Sequence, residues 1–405
     1  MRQQLVILCG GLGTRLGSLT RDMPKSMLPV GERPFLEYLL KRMSELPFDE
    51  VILLAGHLGE VIYEQFHDSI FNGVRVQVHV EKSAKGTLGA FNEIKSLLED
   101  KVWICNGDTF INFEKLNELY RLFSTVDEMN YLFTAFVSDQ SRYGGIELSE
   151  TCFVKKFEEK QVNLKRSGLI NSGFLKLNRA DIFDALNRNG RSLENDLLAK
   201  LPAQRKLKAI NGCVGDFIDF GIPKDFAKLE NHVLSNFPDK AIFWDRDGTI
   251  NNDNGYTHDL SDYYLLDYLD SGSGAFTSRE TLNLIVSNQG GIALGIFSEE
   301  DFYRFHRHMK LDFLRRGMII NDVIMCPHHP KGRILSLSKK CECRKPNTQM
   351  FKTLANNWDL KMEKCRFIGN AESDRQAAMS LGIPYLSITD DPSCIDDVKE
   401  FLNDH

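Results

Sequence analysis

Residues 5–40 read LVILCGGLGTRLGSLTRDMPKSMLPVGERPFLEYLL, and this stretch decides the fold of the first half of the chain. It opens on a short apolar run of β-prone residues, continues through a glycine-rich segment, and ends from Phe35 in apolar residues at helical spacing. A strand feeding a helix through a glycine loop is the start of a βαβ unit. The alternation continues outward from there. Residues 5–9, 51–54, 74–80 and 102–105 read as strands, and 35–43 and 88–98 as helices between them. This predicts an α/β fold with a largely parallel sheet. The pattern pauses at the polar, proline-containing segment LSNFPD and restarts at Lys240, which predicts two domains, 1–235 and 236–405.

At 405 residues the chain exceeds what one ordinary core holds. Hydrophobic content of 42% and charged content of 26% describe a globular protein. A net charge of −6 argues against a nucleic-acid partner. No apolar run approaches the roughly 20 residues of a membrane span, and the initial apolar run is too short for a signal peptide. Nine cysteines, an odd number, suggest a reducing compartment in which a cluster would bind metal. A cytoplasmic protein without a membrane partner is expected.

The glycines Gly10, Gly11 and Gly13 would let backbone N–H groups approach phosphate oxygens closely. Their spacing matches neither G-x-G-x-x-G nor a loop ending in G-K-[ST]. Arg15 lies within the loop and Lys25 follows ten residues later, two cations suited to phosphoryl or nucleotidyl transfer. Taken alone, such a loop is equally an ordinary turn. The segments EKSAKGTLGA, NGDTF, FEEK, INSG and FIDFGIPKDF follow in order. Together they resemble the sugar-1-phosphate nucleotidyltransferases, in particular the heptose-1-phosphate guanylyltransferase branch. The resemblance implies a Rossmann-like fold and a nucleotide-base loop at Glu81, Gly86 and Thr87. It implies magnesium at Asp108 and Asp219, a sugar-phosphate side at Glu159, Lys160 and Asn171, and a pyrophosphate contact at Arg15. Lys25 would meet the α-phosphate or the sugar phosphate. A turn aspartate before glycine is the other reading of Asp219. The substrates implied are a nucleoside triphosphate, GTP in that branch, and a sugar 1-phosphate. Cys9 stands where relatives carry alanine and is expected to be thiol-sensitive.

The second half opens on AIFWDRDGTINNDNGY, with Asp245 and Asp247 behind a short apolar run. Two carboxylates so placed repel each other unless a cation sits between them. The bland alternative is an N-cap aspartate followed by a turn aspartate. Downstream, LIVSNQGG carries Ser287, Asn288 and Gln289, CRKP carries Arg344 and Lys345, and FIGNAESD carries Asn370 and Asp374. These groups sit at or beyond apolar strand ends, where open α/β sheets bind ligands. Cys326, His328, Cys341 and Cys343 form C-x-H and C-x-C pairs, the ligand composition of a structural zinc site. His329 is expected to point away, and Cys9, Cys105, Cys152, Cys213, Cys365 and Cys394 to be ordinary, mostly buried residues.

These motifs resemble the haloacid-dehalogenase phosphatases, and with the cysteine loop the heptose-1,7-bisphosphate 7-phosphatases. The resemblance implies a haloacid-dehalogenase-like Rossmannoid fold with a zinc loop. Asp245 would be the nucleophile and Asp247 the general acid and base, while Ser287 and Lys345 hold phosphoryl oxygens. Asp253, Asn254, Gly255, Tyr256, Asn288, Gln289 and Arg344 would face substrate. Asp245, Asp247, Asn370 and Asp374 would hold magnesium. Two departures stand out: Asn370 replaces an aspartate, and Leu294 replaces a basic residue. An amide still ligates magnesium but brings one negative charge fewer.

The expected function is bifunctional. One half removes the 7-phosphate of D-glycero-D-manno-heptose 1,7-bisphosphate, and the other converts heptose 1-phosphate to GDP-heptose and pyrophosphate. One alternative is a nucleotidyltransferase for another sugar or sugar-alcohol phosphate, with a weak or inactive phosphatase-like half. Another is a nucleotide-binding regulator without turnover. Self-association into a homo-oligomer is left open.

Overall fold

The computed structural model describes residues 2–11, 13–141, 143–157, 166–270, 276, 279–388 and 394–403. Glu159 and Lys160 lie outside them. The chain divides into two compact units. One comprises Met1–Met43 with Phe48–Val233, the other Ser44–Pro47 with Leu234–His405.

The strands of the first unit that build its main sheet and its site are β1 (Gln4–Cys9), β2 (Glu50–Ala55), β3 (Ile70–Phe71), β4 (Val74–Val80), β5 (Lys101–Asn106), β6 (Thr109–Phe113), β7 (Asn130–Val137), β8 (Gly168–Asn178), β9 (Leu207–Ile210) and β10 (Val214–Asp219). Eight of them form one sheet in the order β9-β7-β8-β5-β1-β2-β4-β3. Leu5, Val6 and Ile7 of β1 are fully buried, as an apolar run inside a sheet covered on both faces should be. Helix α1 (Phe35–Ser44) buries Phe35, Leu36, Leu39, Leu40 and Met43 at 3–4 residue spacing. The expected helix over 88–98 is instead one α-turn, Gly86–Gly89, running into a 3₁₀ helix, Ala90–Leu97. Its two glycines weaken an α-helix, while buried Leu88, Phe91 and Ile94 still hold it to the core. The sheet is mixed rather than simply parallel, because β8 runs antiparallel to both β5 and β7. No helix is described between β7 and β8, and antiparallel neighbours need no crossover helix.

The second unit holds β11 (Ala241–Trp244), β12 (Leu282–Asn288), β13 (Asp322–Cys326), β14 (Arg366–Gly369) and β15 (Tyr385–Ser387). They form a parallel sheet in the order β13-β12-β11-β14-β15. Alternate residues of β11 serve opposite cores: Ile242 and Trp244 on one face, Ala241 and Phe243 on the other. Helix α2 (Glu299–Arg315) supplies Phe305, Met309 and Phe313 to the first of these, and α3 (Gln349–Trp358) supplies Met350, Phe351 and Leu354 to the second. The chain leaves β11 for β12 on one side and returns to β14 on the other. The crevice at such a reversal, beyond the strands' carboxyl ends, is where a ligand fits. Among the described residues, no helix is long and apolar enough to cross a membrane.

Candidate functional site

In the first unit a cavity of about 520 Å³ opens beyond the ends of β1 and β5. Gly10, Gly11, Gly13, Arg15 and Lys25 line one side, and Glu81, Gly86 and Thr87 another. A β-carbon on Gly10 would lie 2.8 Å from Glu81 Oε1, so glycine there lets the loop and the carboxylate meet. Gly13 has a φ of 61°, which favours glycine. Burial raises the Glu81 carboxyl above its ordinary range. The Gly86–Thr87 turn is tied down from afar: Leu88 N donates to Arg191 O (2.9 Å), and Leu193 N to Thr87 Oγ1 (2.9 Å).

Asp108 follows β5, and Asp219 ends β10. These carboxylates, far apart in sequence, meet because β10 pairs antiparallel with β6 and sets Asp219 opposite Thr109. Lys25 Nζ lies 2.5 Å from Asp108 Oδ2 and 3.8 Å from Asp219 Oδ1, and 4.9 Å over the Phe220 ring. Two anionic groups thus share one ammonium on the cavity wall. Asn171 also lines the cavity, and its Oδ1 accepts from Gly173 N at 3.0 Å.

In the second unit Asp245 leaves β11 directly. Its Oδ1 lies 2.5 Å from Lys345 Nζ, which donates to Val286 O (2.9 Å) and lies 2.8 Å from Asp374 Oδ1. Burial raises the Asp245 carboxyl, the Lys345 ammonium opposes that, and Asp374 and Asp247 reinforce it. Asn288 grips the Lys345 backbone reciprocally: its Oδ1 accepts from Lys345 N (2.9 Å) and its Nδ2 donates to Lys345 O (3.1 Å). Gln289 Nε2 donates to Ser287 Oγ (2.7 Å) and to Asp247 Oδ2 (2.8 Å). Asn370 caps the same edge, where its Nδ2 lies 2.0 Å from the point a β-carbon on Gly248 would occupy. The loop of Asp253, Asn254, Gly255 and Tyr256 folds over an Asp253 Oδ1 to Gly255 N–H bond of 2.8 Å. It leaves Tyr256 exposed, with its ring edge beside Gly291.

Cys326 ends β13, and its sulfur gathers with the sulfurs of Cys341 and Cys343 and Nδ1 of His328, all four atoms within 4.8 Å of one another. Such a cluster could hold a metal ion. His329 stays outside it; its ring lies near Gly290, and its Nδ1 accepts from Lys331 N at 3.1 Å. Arg344 Nη1 donates to His328 O (3.2 Å), linking a ligand of the cluster to the Lys345 loop.

Comparison with known proteins agrees with this two-site geometry. Residues 4–235 match the nucleotidyl transferase family. The chain belongs to that family. A D-glycero-alpha-D-manno-heptose 1-phosphate guanylyltransferase from Campylobacter jejuni is 37% identical over 229 residues, 55% of this chain and 96% of that protein. A D-glycero-beta-D-manno-heptose-1,7-bisphosphate 7-phosphatase from Yersinia pestis is 35% identical over 143 residues, 35% of this chain and 76% of that protein. The chain is a fusion of a nucleotidyl transferase with a C-terminal haloacid-dehalogenase-like phosphatase region. The solved UDP-glucose pyrophosphorylase of Acinetobacter baumannii covers 57% of this chain and 93% of its own, at 18% identity and a TM-score of 0.50. That likeness concerns the fold of the nucleotidyl transferase half.

Asp374 is fully buried; one oxygen faces Lys345 and the other accepts from Ala371 N at 3.0 Å. Two sequence expectations need correction. Cys9 is only 6% exposed, and burial pushes its thiol up to about 12, so little thiolate forms at neutral pH. Cys152 is exposed rather than buried. Sequence reasoning also missed side chains. Asn106, Tyr143, Glu194 and Phe217 line the nucleotidyl transferase cavity, and only Asn106 and Phe217 sat inside segments already singled out. In the phosphatase region it missed Arg246 and Asn251, which both bond Asp247.

Proposed function

We propose that the chain is a bifunctional enzyme of nucleotide-sugar synthesis. Its phosphatase half would take the 7-phosphate from D-glycero-D-manno-heptose 1,7-bisphosphate. Its nucleotidyl transferase half would then convert heptose 1-phosphate and GTP to GDP-heptose and pyrophosphate. The observation that carries this reading is the convergence of Arg15, Lys25, Asp108 and Asp219 on one nucleotide-sized cavity, in a chain that also brings Asp245, Asp247 and Lys345 together.

In the transferase half, an oxygen of the sugar 1-phosphate attacks the α-phosphorus and pyrophosphate leaves. Arg15 would stabilise the departing pyrophosphate, and Lys25 the α-phosphate or the sugar phosphate. Asp108 and Asp219 suit magnesium, since two hard oxygen donors have one ammonium between them. When bound, the ion supplies neutralisation of phosphate charge.

In the phosphatase half, Asp245 attacks phosphorus while the bond to the leaving oxygen breaks and Asp247 gives that oxygen a proton. Asp247 then takes a proton from water, the water oxygen attacks phosphorus, and the bond to Asp245 breaks to release phosphate. Ser287 and Lys345 would hold phosphoryl oxygens. Asp253, Asn254, Gly255, Tyr256 and Arg344 would bear on the sugar. Asp245, Asp247, Asn370 and Asp374 would hold magnesium here, Asp247 through its main-chain oxygen because its carboxylate already accepts from four donors.

Zinc fits the cysteine cluster. Its sulfurs lie 3.2–3.5 Å apart, and His328 Nδ1 lies 3.6 Å from the Cys326 sulfur and 3.2 Å from that of Cys343. A tetrahedron with bonds of about 2.3 Å has edges near 3.8 Å, so a small expansion admits the ion. Four protein ligands leave no open position, which makes the role structural.

The two relatives differ in anomer, alpha for the transferase and beta for the phosphatase. The phosphatase works at C7, remote from the anomeric carbon, whereas the transferase reacts at the 1-phosphate. The alpha anomer is therefore proposed for the chain as a whole. Asn370 favours a second reading, a transferase with a weak phosphatase, because its amide removes one negative charge from the phosphatase site. Pyrophosphate release should be measured across nucleoside triphosphates with both anomers of heptose 1-phosphate. Highest kcat/KM for GTP with the alpha anomer supports the reading, and preference for another sugar phosphate refutes it.

A further inference from the structure

Arg246 lies between the two aspartates of the phosphatase half and is fully buried, with no exposed surface. A buried guanidinium needs partners. Its Nε donates to Asp247 Oδ1 at 2.9 Å and its Nη2 to Asp247 Oδ2 at 2.8 Å, a two-pronged fork on one carboxylate. Nη2 also donates to Thr257 O (2.7 Å) and approaches Gln289 Oε1 (3.3 Å). The cation lies 5.2 Å from the Phe302 ring centre and 4.8 Å from that of Phe305. The rings and the fork together fix the plane of the guanidinium, and hence the plane of the carboxylate.

We infer that Arg246 is a positioning residue that holds the Asp247 carboxylate in register for proton transfer to the leaving oxygen. The inference rests on the phosphatase reading above. The two nitrogens hold both oxygens between them, with Nη2 also 2.8 Å from Oδ1, and so restrict rotation of the carboxylate about its last torsion. The other donors to Asp247 are amides, Asn251 Nδ2 at 3.0 Å and Gln289 Nε2 at 2.8 Å. Four donors occupy the roughly four lone-pair sites of a carboxylate. The lone pair that carries the proton must therefore be one that an amide gives up while the fork holds on. Gln289 is suited to this, since its amide is already shared with Ser287. Lysine cannot replace the fork, because an ammonium grips as a point charge and lets the carboxylate turn.

The test separates proton transfer from structural support by the leaving group. An alkyl phosphate such as heptose 1,7-bisphosphate needs its leaving oxygen protonated, whereas p-nitrophenyl phosphate does not. The kcat/KM values, which report steps up to leaving-group departure, should be compared for wild type, Arg246→Lys, Arg246→Gln and Asp247→Asn. Both Arg246 variants should lose about 10–100-fold on the alkyl ester and less than about 3-fold on the aryl ester. They should follow the pattern of Asp247→Asn, and Arg246→Lys combined with Asp247→Asn should be no slower than Asp247→Asn alone. Equal losses on both esters, or none on either, would overturn the inference and leave Arg246 a packing residue. Wild type inactive on the heptose ester but active on another sugar phosphate overturns the substrate reading alone, and the contrast is then read on that ester. Wild type inactive on every ester overturns both.

Discussion

Replacing Lys345 with methionine keeps the length of the side chain and removes its charge. The ammonium sits 2.5 Å from Asp245 and 2.8 Å from Asp374, with Lys345 4%, Asp245 8% and Asp374 0% exposed. Losing it leaves two buried carboxylates without their cation. Breaking a buried ion pair on one side costs about 3–5 kcal/mol. The second unit of Lys345→Met should lose about that much in buffer without added magnesium. The loss should depend on pH. Burial raises the Asp245 carboxyl in the folded chain and the Lys345 ammonium opposes that rise, so removing the ammonium lifts it further above the unfolded value of about 4. The folded variant then binds more protons than the unfolded chain, so its stability is greatest at low pH and falls as pH rises. Denaturant unfolding of wild type and variant at pH 5 and pH 8 reads this directly. The gap between them should be wider at pH 8. A gap below about 1 kcal/mol at both pH values would refute the assignment of Lys345 as the counter-ion of this buried pair.

Asp108→Asn should abolish pyrophosphate release and leave phosphate release unchanged, as measured in parallel assays on one preparation. Equal loss of both in a folded variant would contradict two separate sites. The purified chain should carry about one zinc per molecule by metal analysis, and Cys341→Ser should lower that content and destabilise the second unit more than the first. Asp239 is held down to about 2 by hydrogen bonds from Lys361 and Lys364. Its depressed folded-state pKa adds stability above the unfolded value, about 4, that disappears as pH falls toward 2. Asp239→Asn should therefore lower the melting temperature slightly at pH 7, with the difference from wild type closing in acid.

What could be read from sequence was what is contiguous. The strand–loop–helix opening and the Asp245–Asp247 pair each lie within a few residues, so local apolar spacing and glycine positions reveal them. The cysteine cluster was legible because its ligands come in two tight pairs. What stayed hidden depends on register and burial. Asp108 and Asp219 are recognisable as types, but only the β6–β10 pairing brings them to one lysine. Asp374 reads as one more site carboxylate four residues after Asn370, and its complete burial and its contact with Lys345 appear only in the fold. Arg246 follows a strand end between two aspartates, where a charged residue reads as an ordinary turn residue, and only its complete burial and its bonds to Asp247 reveal its place. Tyr143 and Glu194 line the cavity from segments without any motif, so no local pattern could find them.

The central claim is that one chain performs two consecutive reactions. The direct measurement is a single reaction of the purified chain with heptose 1,7-bisphosphate, GTP and magnesium, in which phosphate, pyrophosphate and GDP-heptose are followed together. The account predicts equal molar amounts of all three, with phosphate appearing first, and no GDP-heptose when Asp245→Asn replaces wild type. GDP-heptose formed from heptose 1-phosphate, with none formed from the bisphosphate by the wild-type chain, would contradict it.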